Sequence, residues 1–128
     1  MIDTEKLIKS YKAILNGLKN CLDDDWANDI RFASVVLCKH LLNYLHPVME
    51  KEDYDQVYPE LLKRLDDAQD SIRIETCKVF EIFFDKICDP WSSSLYEYTI
   101  KTIFIHLDDQ NEDVQQAVAS VLRKAARV

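Results

Sequence analysis

A leucine followed by paired aspartates recurs three times, as LDDDWANDIR from Leu22, LDDAQDSIR from Leu65 and LDDQNEDVQ from Leu107. The three leucines stand 43 and 42 residues apart, and Ile30, Ile72 and Val114 stand 42 apart twice. A period of that length is the mark of a repeat array, in which each unit is a small supersecondary element that buries its apolar face only against its neighbours. One glycine, Gly17, and three prolines leave almost nothing with which to build tight β-turns. The units are therefore helical.

Upstream of each leucine run the columns Tyr11/Tyr54/Tyr96, Leu15/Tyr58/Ile100 and Leu18/Leu61/Ile103. With the leucine itself they fall at i, i+4, i+7 and i+11, one stripe of a helix. Downstream, Leu37/Val79/Val121, Cys38/Phe80/Leu122 and Leu41/Phe83/Ala125 continue from the isoleucine column at offsets of 7, 8 and 11. Each repeat is two amphipathic helices joined by the aspartate turn. Helices are expected near 3–21, 28–45, 52–66, 70–87, 93–108 and 112–127, as an all-α solenoid of three pairs spanning 3–46, 50–88 and 92–128. Asn28, Asp70 and Asn111 stand where an N-cap oxygen accepts the next helix's first N–H groups. Pro47 and Pro90 fall between repeats, while Pro59 is expected to bend its helix or mark its first turn.

With 48% hydrophobic and 30% charged residues the chain can bury a core, and its net charge of −7 with scattered basic residues argues against nucleic acid as a partner. No apolar run approaches the roughly 20 residues that cross a bilayer, and the polar start MIDTEKLIKS lacks a signal peptide's apolar core. Cys21, Cys38, Cys77 and Cys88 form no C-x-x-C pair and lie in apolar helical context, so they read as reduced core thiols. His40, His46 and His106 share no ligand spacing with them, and no metal or other cofactor is expected. DDDWANDIRFAS has neither the glycine at the sixth position nor the glutamate at the twelfth of a calcium loop. No Ser-His-Asp order, phosphate loop or H-E-x-x-H motif is present, so a non-catalytic protein is expected.

Arg31 and Arg73 sit in the first turn of their helices, where a cation is disfavoured by roughly 0.3–1 kcal/mol unless anions surround it. The aspartate runs supply those anions. Asp23, Asp24 and Asp25 precede Arg31, and Asp66, Asp67 and Asp70 precede Arg73. In a stacked array each arginine also reaches the next repeat's turn, so Asp24, Arg31, Asp67, Arg73 and Asp109 are expected to form a structural ladder. Gln115 replaces arginine in the third repeat and makes that rung neutral.

Two helices per forty-odd residues, an aspartate turn and then DIR, SIR or DV opening the second helix resemble the HEAT repeat over essentially the whole chain. Within HEAT proteins, YPELLKRLDDAQDSIR followed by DVQQAVASVLRKAARV is similar to the C-terminal repeats of the HEAT-repeat dynein axonemal assembly factors. That resemblance implies a cytoplasmic scaffold for preassembling dynein arms, binding dynein-arm subunits or co-chaperones, and a fragment of a longer solenoid. Other HEAT roles, as transport receptor, phosphatase scaffold or microtubule-associated array, are the alternatives; the acidic balance speaks against the last, since tubulin is itself acidic. A monomer whose open ends are free to self-associate is expected.

In HEAT arrays the second helices line the concave side. Here that face would carry Phe32, Val36, Lys39 and Asn43, then Ile74, Lys78, Glu81 and Asp85, then Gln116, Ser120, Arg123 and Arg127. Phe32, Val36 and Ile74 are apolar at positions expected to be exposed, so they either cover a gap between repeats or form a partner-binding patch. Trp26 and Trp91, at predicted turns, either plug the end of a helix pair or anchor a partner. The WSSS run at 91–94 reads as a helix start or a phosphorylation site.

Overall fold

The aspartate turns fold in the same way at each junction, and helices start from them. In the computed structural model, which describes residues 4–86 and 93–126, Asp24 Oδ1 accepts the Trp26 and Ala27 N–H groups at 2.9 and 3.0 Å. Asp67 Oδ1 accepts Gln69 N–H at 3.0 Å, and Asp109 Oδ1 accepts Asn111 N–H at 2.9 Å. Each second aspartate thus closes its own turn. The helices are α1 (Thr4–Leu22), α2 (Asn28–Leu45), α3 (Lys51–Arg64), α4 (Asp70–Lys86), α5 (Ser93–Ile105) and α6 (Glu112–Ala125). A short 3-10 turn, His106–Asp108, ends α5 earlier than its periodicity suggests, and α6 stops at Ala125.

Of the three expected caps only Asn111 acts as one, its side chain accepting Asp113 and Val114 N–H at 2.8 and 3.3 Å. Asn28 and Asp70 are already helical and turn their oxygens to the arginine three residues on. Pro59 lies within α3 and is not its first turn. Pro90, Trp91, Cys88 and Arg127, and the Tyr96 side chain, fall outside the described residues.

α2, α4 and α6 stack side by side as one layer, with α1 packed on α2 and α3, α3 on α4, and α5 on α6. Their shared core holds Leu15, Leu22, Leu42, Leu61, Leu65, Phe80, Phe83 and Ile103, all buried, and Phe83 takes Tyr54 edge-on at 5.9 Å between ring centroids. Among the described residues there are only helices, and none is long and apolar enough to cross a membrane. Between α3 and α5 the other layer opens into a crevice of about 420 Å3 lined by Tyr58, Pro59, Leu62, Tyr98 and Thr102.

Two of the apolar columns have an exposed member in repeat one. Ile30 and Leu37 are 43% and 44% exposed, whereas Ile72, Val79, Val114 and Val121, their counterparts, are at most 1% exposed. The counterparts lie under the preceding helix pair, and among the described residues no helix lies on that side of α2. Cys21, expected in the core, is exposed on the same side, while Cys38 and Cys77 are buried free thiols whose pKa burial pushes up to about 12. Trp26 plugs nothing: it is 95% exposed.

Candidate functional site, a ridge of second helices

The aspartate turns place the arginines so that they bind forward along the stack. Arg31 Nε donates to Asp67 Oδ2 at 2.7 Å and its Nη2 to Asp67 Oδ1 at 3.2 Å; Arg73 repeats this with Asp109 at 2.9 and 3.1 Å. Both pairs join residues 36 apart, and both are the planar, two-pronged match that guanidinium offers a carboxylate. Each arginine also anchors its own turn, donating to the main-chain oxygen of Asp24 at 2.8 Å or Asp67 at 2.7 Å. The carboxylates of Asp23, Asp24 and Asp25, expected to surround Arg31, accept no hydrogen bond from it; Asn28 and Asp67 take that place.

Burial alone would raise the pKa of the Asp67 carboxyl. The Arg31 bonds, the Gln69 N–H and the Arg64 charge outweigh it and hold the group below 3.8. Asp109 is likewise lowered, the Asn111 N–H and Arg73 overcoming its burial. Gln115 keeps half of the arginine's role: its side-chain amide donates to Asp109 O but carries no group that reaches a further turn.

Beside this ladder runs the outer face of α2, α4 and α6. Phe32 is 38% exposed at the start of α2, Val36 is half-buried, and Ile74 is half-buried against the core. Ile74 therefore belongs partly to the packing between repeats. Lys39 Nζ donates to Glu75 at 3.0 Å, again 36 residues on, and Lys78 approaches the same carboxylate at 2.8 Å. Burial would raise Glu75, but the two lysines lower it. Lys124 of α6 bonds Asp85 and lies 3.9 Å from Glu81, and Lys86 donates to Asn43 at 2.6 Å. Arg123, Lys78 and Gln116 are exposed and Ser120 half-buried. The face is a striped surface of paired charges with one aromatic edge at Phe32.

The sequence pattern does not mark the Glu75 and Lys124 bridges, the Tyr11 hydroxyl's bond to Asp53 at 2.9 Å, or the contact of His106 Nε2 with Asp66 at 3.2 Å. The constant 36-residue offset was the available signal for the first, because any second-helix cation at that spacing meets the next repeat.

No protein-family model matches the sequence. The chain is 30% identical over 102 residues to dynein axonemal assembly factor 5 of Xenopus laevis, covering 77% of this chain and 12% of that protein. It is 25% identical over 130 residues to the protein of the same name in Mus musculus, covering 98% of this chain and 15% of the relative. It thus spans about an eighth of the length of these relatives. A designed armadillo repeat protein solved in complex with a (KR)4 peptide superposes with a TM-score of 0.68 at 17% identity, over 94% of this chain and 49% of the other. Its likeness bears on the fold alone. The chain is a solenoid of three HEAT-like helix pairs that resembles part of dynein axonemal assembly factor 5.

Proposed function

We propose that this chain is part of a non-catalytic, protein-binding scaffold that acts in the cytoplasm during preassembly of axonemal dynein arms. The observation that carries the reading is its similarity, at 30% identity across most of the chain, to a relative named as a dynein axonemal assembly factor. The open, ion-paired face of α2, α4 and α6 supports a scaffold, because a solenoid offers its whole ridge to a partner without rearranging its core. The partners proposed are dynein-arm subunits or co-chaperones, held through Phe32, Val36, Lys39, Ile74, Lys78, Glu81 and Arg123.

The test is made in motile-ciliated cells that encode this protein. Disrupting the gene should leave axonemes short of dynein arms, with arm subunits lost or retained in the cytosol, and the natural gene should restore them. Complete arms in the disrupted cells would overturn the reading. Rescue with Phe32→Ser and Arg123→Glu together then tests the face: both side chains are exposed, so the melting temperature should hold while arm assembly falls.

A further inference from the structure

A lysine that meets the first aspartate of the turn at one junction is missing at the next. Asp23 lies 3.7 Å from Lys63 Nζ of α3, and the helical stripe that carries this lysine is polar: Gln56, Glu60, Lys63. One period on, Asp23 becomes Asp66 and the stripe becomes Tyr98, Thr102 and Ile105. The Asp66 side chain is 77% exposed, and among the described residues its carboxylate meets only the imidazole of His106, Nε2 at 3.2 Å. Tyr98 and Ile105 are 61% and 70% exposed. Tyr98 and Thr102 line the crevice of about 420 Å3 together with Tyr58, Pro59 and Leu62 of α3, and Asp66 stands in its wall. That volume falls within the roughly 300–1,000 Å3 of ordinary ligand clefts. Thr102 gives its hydroxyl proton to the Tyr98 main-chain oxygen at 2.9 Å, and Lys63, also in the wall, is held by Glu60 at 3.2 Å as well as by Asp23. The crevice therefore offers an incoming group aromatic rings and a carboxylate.

We propose that this crevice binds an arginine side chain of a partner polypeptide, its guanidinium paired with Asp66 and its stem and plane laid against Tyr58 and Tyr98. Guanidinium is less strongly hydrated than ammonium, stacks on aromatic faces and fits a carboxylate with two prongs, so this combination favours arginine over lysine. The surroundings are negative too: the Tyr58 hydroxyl has its pKa raised by burial first and then by Asp55 and Tyr98. A second copy of a chain with net charge −7 would meet an acidic surface with another, and an apolar segment would leave Asp66 without the cation that Asp23 has. The crevice lies in the layer of first helices, away from the ridge of α2, α4 and α6, and its occupancy does not depend on what the ridge binds.

The probe is the blocked peptide acetyl-Leu-Arg-Leu-amide, and its control is the same peptide with citrulline, equal in shape and uncharged. In an NMR titration of the full chain with isotope-labelled tyrosine rings, the arginine peptide should shift the Tyr58 and Tyr98 signals with a Kd of about 1 mM or tighter. The citrulline peptide should bind at least about fivefold more weakly. Asp66→Asn should weaken the arginine peptide by about the same factor and leave the citrulline peptide unchanged, and Tyr98→Ala should weaken the arginine peptide about fivefold. Ile105→Lys, which gives the second junction the lysine of the first, should compete for Asp66 and abolish the preference for arginine over citrulline. All three positions are exposed, so none of these variants unfolds the chain by leaving its core. Equal binding of the two peptides to the natural chain would overturn the proposal, as would an arginine preference that survives both Asp66→Asn and Ile105→Lys. So would the absence of any shift at Tyr58 and Tyr98 at several millimolar peptide, or shifts of both rings that grow with the concentration of the chain alone, which would identify a second copy as the occupant.

Discussion

The junction between the first and second helix pairs and that between the second and third share one construction and differ in another. Both carry an arginine-to-aspartate rung at an offset of 36 residues. At the first junction the pair is almost closed to water, with side chains 7% and 1% exposed, and the other layer closes too, α1 packing on α3 and Tyr11 donating to Asp53. At the second the pair is 13% and 8% exposed, and a crevice opens between α3 and α5. The residue one period after Asp53 is Leu95, so the tyrosine-to-aspartate link has no counterpart there. Stacking is therefore carried by the second helices and their turns, while the first helices vary from junction to junction.

Acid is the perturbation expected to do most, because it strikes both rungs at once. The folded Asp67 and Asp109 lie below their ordinary 3.8, so their contribution is present above that value and is lost as pH falls through and beneath it. Urea titrations should show stability falling steeply below about pH 4, and Asp67→Asn with Asp109→Asn should flatten that fall. A slope unchanged by the double variant would remove the rungs from the account.

Next in size is Arg31→Ala, expected to cost about 3 kcal/mol because it strands a buried carboxylate, the low end of that class since Arg64 stays 2.8 Å from Asp67. Arg73→Ala should cost less, about 2 kcal/mol, at the wetter junction. Equal costs in urea unfolding would contradict the difference in closure. Tyr11→Phe should be the mildest at about 1 kcal/mol, removing the hydroxyl's bonds to Asp53 and Val48 O while keeping the ring. An effect as large as that of Arg31→Ala would shift the weight of stacking to the first helices.

How far the sequence foretold this molecule depended on whether a residue's neighbour lies one period away. The pairing of helices, the turn at each Leu-Asp-Asp and the burial of Leu18, Leu61 and Ile103 follow from spacing alone, since every repeat meets the same surroundings. Ile30 and Leu37 break the rule because burial belongs to an interface, and periodicity marks the side that would be covered without showing what covers it. Trp26 is exposed for a similar reason: a turn residue's depth depends on the tertiary path of the loop. Ile74 reads as surface by helical angle yet is half-buried because adjacent second helices lie close together. The Lys39–Glu75 and Lys124–Asp85 bridges on the ridge needed the stacking offset before they could be seen.

Whether the two rungs truly couple adjacent repeats is tested most directly by double-mutant cycles in urea on Arg31→Ala with Asp67→Ala, Arg73→Ala with Asp109→Ala and, as an off-register control, Arg31→Ala with Asp109→Ala. Coupling of about 1–3 kcal/mol is expected for each of the first two pairs, larger for Arg31 with Asp67, and within roughly 0.5 kcal/mol of zero for the control. Coupling indistinguishable from the control at both junctions would contradict the ladder.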